Sequence, residues 1–102
     1  MIHVIATIEL LEGQRDAFLT EFKKLIPEVL REDGCIEYGA TIDVETNIAA
    51  QAEPRNNVVI IVEKWDSLAA LEAHLVAPHM LAYRPRVKAM IQTAKLQVLQ
   101  PA

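Results

Sequence analysis

The apolar periodicities along this chain of 102 residues predict an α+β fold, an antiparallel sheet with helices packed on one face. Two observations carry that prediction. Strand-like segments, alternating or continuously β-branched, stand at both ends and in the middle, and segments with three- and four-residue apolar spacing separate them. Their order is strand, helix, strand, strand, helices, strand, without the regular alternation of a parallel sheet. Residues 1–102 therefore read as a single domain.

Ile2, Val4, Ala6, Ile8 and Leu10 share one side of a strand over Ile2 to Leu11, and Ile5 and Leu11 make the other side partly apolar. Glu12-Gly13-Gln14 breaks the alternation. Phe18, Phe22, Leu25, Ile26, Val29 and Leu30 then trace an amphipathic helix whose outer face carries Arg15, Glu21, Lys23, Lys24, Glu28 and Arg31. Pro27 cannot donate to the Lys23 carbonyl, which predicts a kink or a second helical piece. Asp33-Gly34 closes the helix, because glycine tolerates a left-handed cap. Cys35 to Val44, containing Tyr38, is the second strand, and the turn-forming Pro54-Arg55-Asn56-Asn57 leads into the third, Val58 to Trp65. Residues 45–57 fit either a long hairpin loop or a short extra strand. Asp66-Ser67 caps a helix with Leu68, Leu71 and Leu75 as its buried stripe. Pro78 opens a further helical piece bearing Met80, Leu81, Val87 and Met90, which Pro85 is expected to interrupt. Lys95 to Leu99 alternates as the last strand.

Both sides of Val58-Val59-Ile60-Ile61-Val62 are apolar, and the helices are too few to cover both sides of the sheet. The same surface of a second chain is the expected cover, giving a twofold homodimer with stacked sheets. A net charge of −4 with scattered basic residues argues against nucleic acid, and the strands lack the exposed aromatic pair on which RNA bases stack. No apolar run approaches a membrane span, and Met-Ile-His-Val reads as a strand rather than a leader, so the expected location is the cytoplasm. The single cysteine, Cys35, reads as a small core residue.

Chemistry-bearing residues cluster late in the chain. Glu63-Lys64-Trp65-Asp66 is followed by His74 and then Pro78-His79-Met80, which places the only tryptophan and two of the three histidines at the end of the most apolar strand. With the stretch Pro27 to Cys35, the segment Leu71-Glu72-Ala73-His74-Leu75 and the ending Leu99-Gln100-Pro101, these motifs resemble the antibiotic biosynthesis monooxygenases, and among them the small bacterial quinol monooxygenases. The resemblance implies a dimeric ferredoxin-like α+β barrel and oxygen chemistry on a quinol or related aromatic with no cofactor. Four positions depart from the patterns of two branches of the wider family. Ile61 stands where anthrone oxidisers carry asparagine, and Thr7, His74 and Arg84 stand where haem degraders carry asparagine, tryptophan and histidine, which disfavours haem cleavage.

Ground-state oxygen accepts an electron only from a substrate made electron-rich, and deprotonating a quinol does this. The protein must supply a base, donors for the oxyanion and a dry pocket. His79, at a helix start, and His74, on the preceding helix, are the candidate bases, and Glu63 is a second base or the group that orients a histidine. Trp65, Tyr38, Tyr83, Met80 and Arg84 are candidate substrate contacts, with Arg84 and Arg86 able to meet an anion. Met80 and Met90 also fit a core role. No metal site is expected, since a five-residue spacing puts the two rings on different faces of a helix and no third ligand is placed. An isomerase on the same scaffold, or a binder of small hydrophobic ligands, would use the same pocket.

Overall fold

The computed structural model describes Met1–Ala102 and contains one four-stranded antiparallel sheet with helices on one face, a ferredoxin-like α+β arrangement. The elements are β1 (Ile2–Leu10), α1 (Arg15–Leu30), β2 (Cys35–Thr41), β3 (Val58–Trp65), α2 (Leu68–Leu75), α3 (Pro78–Val87), a 3-10 turn (Lys88–Met90) and β4 (Ile91–Leu99). Strand order is β2-β3-β1-β4.

Register follows from the apolar pattern. Val4, Ala6 and Ile8 of β1 pair with Glu63, Ile61 and Val59 of β3 and, on the other side, with Val98, Leu96 and Ala94 of β4. Tyr38 of β2 pairs with Glu63. These residues form the helix-facing side, against which Phe18, Phe22, Leu25 and Val29 of α1 are fully buried. The Phe22 ring is the hub of this layer, 5.3 Å from Tyr38, 6.0 Å from Phe18 and 6.3 Å from Tyr83 between centroids. The opposite side of the sheet presents Ile5, Thr7, Ile60 and Val62, half-buried and without a covering layer in the single chain.

Several expectations are corrected. α1 runs through Pro27 without dividing into two helical pieces, and α3 continues through Pro85. Both prolines, with Lys23 and Leu81 four residues before them, lie on exposed faces, where water can satisfy the carbonyl that each proline leaves free. The second strand ends at Thr41 rather than Val44, and the last begins at Ile91 rather than Lys95, because it pairs with the full length of β1. Of the two alternatives for residues 45–57 the loop is the one found, anchored where Arg55 meets Asp43 at 2.8 and 3.0 Å. In α2 the buried residues are Leu71 and His74, while Leu68 is half exposed. A histidine has taken a place that periodicity alone assigns to leucine.

One glycine governs how α2 sits. Gly34 has φ +83°, and a Cβ there would stand 2.4 Å from Asp66 Oδ1 and 2.7 Å from Ala70 Cβ. The backbone bond from Asp66 N to Gly34 O, 2.9 Å, draws the same two segments together. Gly13 has a similar φ, +79°, but open space around it. Gly34→Ala is therefore expected to lower stability by several times as much as Gly13→Ala, which carries only the backbone penalty of about 1 kcal/mol. Chemical denaturation of the two variants tests this, and equal losses would contradict it.

Candidate active site

The approach of α2 to Gly34 decides what its next turn touches. Ala70 packs on Gly34, so His74, one turn later on the same face, comes beside Glu32, two residues before that glycine. His74 Nδ1 lies 2.8 Å from Glu32 Oε2. The chain leaves the helix at Val76 and Ala77 and restarts with Pro78 at the first turn of α3, which swings His79 back so that its Nε2 lies 2.7 Å from the same oxygen. The expectation that the two rings occupy different helical faces fails because the helix is broken between them.

A carboxylate can only accept, so each imidazole donates an N–H to Glu32. For His74 this places the proton on Nδ1 and leaves Nε2 as the free acceptor in the neutral ring. The His74 side chain is almost wholly buried, and its one hydrogen bond is through Nδ1. No buried side-chain nitrogen or oxygen in the chain lacks a partner. Nε2 is thus the unbonded nitrogen of a ring whose residue lines a cavity.

That cavity, about 780 Å³, lies between the helices and the sheet, above the small side chains of Ala6 and Ala94. Ile8, Ile61, Met80 and Val87 wall it, with Tyr38, Glu63, Tyr83 and Arg84 as polar features. It opens along β4, where Leu96 is 48 % exposed because no helix covers that edge strand. Size and lining suit a small aromatic ligand.

Trp65 is fully buried outside the cavity wall. Its Nε1 donates to Glu63 Oε1 at 2.9 Å, and its ring lies 4.7 Å from that of His74, so it holds both polar residues from behind. Burial pushes the Glu63 carboxyl above its ordinary value, against the opposing effects of the Trp65 N–H and of His74. Burial likewise raises the Tyr38 and Tyr83 hydroxyls, with Glu63 adding to the shift at Tyr38, and keeps them protonated donors at neutral pH. The Cys35 thiol is raised by burial and by Glu32 and Glu63, which holds it in the unreactive form.

Of the residues singled out from the sequence, His74, Glu63, Tyr38, Tyr83, Met80 and Arg84 line one cavity. His79 does not line it but binds behind it to Glu32, at 21 % side-chain exposure. Glu32 was not singled out, although it is the group that joins the two histidines. The available signal was its position just past the end of α1, where the helix dipole disfavours a carboxylate. The ligating atoms of Glu32, His74 and His79 lie within 4.8 Å of one another, so these are also the three side chains able to converge on a divalent ion. As they stand, both nitrogens are at hydrogen-bond distance from a single oxygen.

A model of the antibiotic biosynthesis monooxygenase family matches residues 1–86. The chain belongs to that family. Over 103 residues it is 41% identical to the probable quinol monooxygenase YgiN of Escherichia coli K12, across 99% of this chain and 98% of the relative. Solved structures share the fold, among them the following two. PA3566 from Pseudomonas aeruginosa has a TM-score of 0.81 at 26% identity over 99% of this chain and 93% of its own. Rv0793 from Mycobacterium tuberculosis has 0.81 at 24% identity over 99% and 94%. The match to antibiotic biosynthesis monooxygenases includes every residue of the Glu32–His74–His79 cluster and the Glu63–Trp65 pair.

The raised Glu63 carboxyl has a consequence for stability. A carboxyl whose folded value lies above its unfolded one, 4.5, favours the fold only while protonated; the advantage is complete below the unfolded value and is lost as pH rises through the folded one. Glu63→Gln keeps an acceptor for the Trp65 N–H and removes the cost of burying the ion. The variant is expected to unfold at higher urea than wild type near pH 8 and at about the same urea near pH 4. A wild type that is the more stable of the two near pH 8 would contradict this.

Proposed function

We propose that the protein oxidises a quinol, or a related electron-rich aromatic, as a cofactor-independent monooxygenase, with His74 as the base. The observation that supports this reading is that His74 lines an apolar cavity of about 780 Å³ while its Nδ1 lies 2.8 Å from Glu32 Oε2, which leaves Nε2 as the nitrogen available to a ligand. The name of the E. coli relative, a probable quinol monooxygenase, supports the same substrate class.

In this reading a quinol hydroxyl gives its proton to His74 Nε2. The imidazolium so formed stays paired with the Glu32 carboxylate, whose second donor, His79, is partly exposed and offers the proton a way to water. The quinolate passes an electron to oxygen, and recombination forms a carbon–oxygen bond to the ring. The resulting ring hydroperoxide loses water as its O–O bond breaks: one oxygen atom stays on the ring, the other leaves as water, and the product is a hydroxyquinone. The four electrons come from the quinol and from the ring carbon, two from each. The apolar wall keeps bulk water from the intermediates, and the Tyr38 hydroxyl and the protonated form of Glu63 are available as donors to the developing oxyanion. A second copy of the chain covering Ile5, Ile60 and Val62 would complete the homodimer, for which sedimentation should give about twice the 11.4 kDa of one chain.

Oxygen uptake with reduced 1,4-naphthoquinol tests the reaction. Wild type is expected to exceed the uncatalysed rate and to keep its activity after dialysis against a chelator. His74→Ala should lose about a hundredfold or more in kcat/KM, and His79→Ala less, because the base itself remains. Uptake at the background rate across several quinols would contradict the proposal and turn attention to an isomerase using the same base.

A further inference from the structure

The cavity has two unlike ends. At one stand His74 and Glu63; at the other, on the last turn of α3 and the 3-10 turn beyond it, stand Arg84 and Lys88, both exposed and both lining the cavity. Of the other eight basic residues, the four with a carboxylate in reach are paired. Arg86 Nε lies 3.4 Å from Glu21 Oε2, Lys24 Nζ 3.4 Å from Glu21 Oε1, Lys64 Nζ 3.0 Å from Glu37 Oε2 and Arg55 Nε 2.8 Å from Asp43 Oδ2. Arg84 and Lys88 make no ion pair. Like charges one helical turn apart repel each other, in a chain whose net charge is −4 and which has acidic residues to spare. A bare cationic pair at the mouth of an apolar cavity is a feature that an anionic ligand would complete.

The geometry of the helix sets the spacing. From Met80 to Lys88, both in the cavity wall, the helical rise amounts to about 12 Å, a distance that a two-ring aromatic and the reach of a basic side chain can span together. We propose that the substrate is an aromatic hydroxy compound with a carboxylate-type substituent at the end of the ring system remote from the reacting hydroxyl, and that Arg84 and Lys88 hold that anion. The inference rests on the reading of His74 as the base, since it fixes which end of the ring lies deep. Ala6, Ile8 and Ile61 offer the ring itself only apolar contact, so orientation falls to the two polar ends.

Binding of redox-inert probes by titration calorimetry tests this without turnover. The probes are 6-hydroxy-2-naphthoate and its uncharged counterpart, 6-hydroxy-2-naphthalenemethanol. Wild type is expected to bind the carboxylate about tenfold more tightly at low salt, with the preference shrinking as sodium chloride is added. The double variant Arg84→Gln, Lys88→Gln should reduce the carboxylate to the affinity of the alcohol. The charge reversal Arg84→Glu, Lys88→Glu should transfer the preference to the matching methylammonium compound. Equal affinity of wild type for both probes, a preference that survives in the glutamine variant, or no binding of either would overturn the proposal. Equal binding with oxygen uptake intact would discard the anionic substituent alone, whereas a charge preference without oxygen uptake would discard the oxygenase reading.

Discussion

A single carboxylate oxygen, Glu32 Oε2, receives hydrogen bonds from two histidines of different helices, and the geometry of the site follows from it. Charge-assisted bonds of this kind are stronger than neutral ones, and here they do three things together. They satisfy a carboxylate placed at the unfavourable end of α1, they join α2 and α3 to the turn that follows that helix, and they hold by Nδ1 the ring of His74, a residue of the cavity wall, leaving its other nitrogen unbonded. Gly34 makes the arrangement possible, because a side chain there would hold α2 too far away for His74 to reach Glu32.

Around this point the fold divides its labour. Phe18, Phe22, Tyr38 and Tyr83 fill the space between α1 and the sheet with stacked and edge-on rings, while Ala6 and Ala94 leave space beneath α3. Packing and hollow thus lie side by side on one face of the same sheet. Burial keeps Glu63, Tyr38 and Tyr83 toward their protonated forms, so the groups around the cavity are mostly donors, with the imidazole of His74 beside them.

The strands and helices were legible because they follow apolar periodicity: Ile2 to Leu10 and Val58 to Trp65 alternate or run apolar as the sheet needs, and Phe18 to Leu30 recur at helical steps. The two prolines misled, since the rule that proline breaks a helix presumes that the freed carbonyl is buried, and here it faces solvent. The start of β4 was hidden because Ile91 to Ala94 alternates no more clearly than a loop, and pairing with β1 decides it. Residues of the site were legible in type, as histidines, a tryptophan and a glutamate beside an apolar strand. Glu32 was not, because its partners are 42 and 47 residues away, and no local pattern encodes a contact made through a glycine turn.

The central claim is that Glu32 fixes the tautomer of His74. Nitrogen-15 NMR of the imidazole side chains at neutral pH measures this directly: the account predicts His74 with its proton on Nδ1 and a bare Nε2, and loss of that single tautomer in Glu32→Ala, which removes the acceptor. A His74 protonated on Nε2, or a spectrum unchanged by removing the Glu32 side chain, would contradict it.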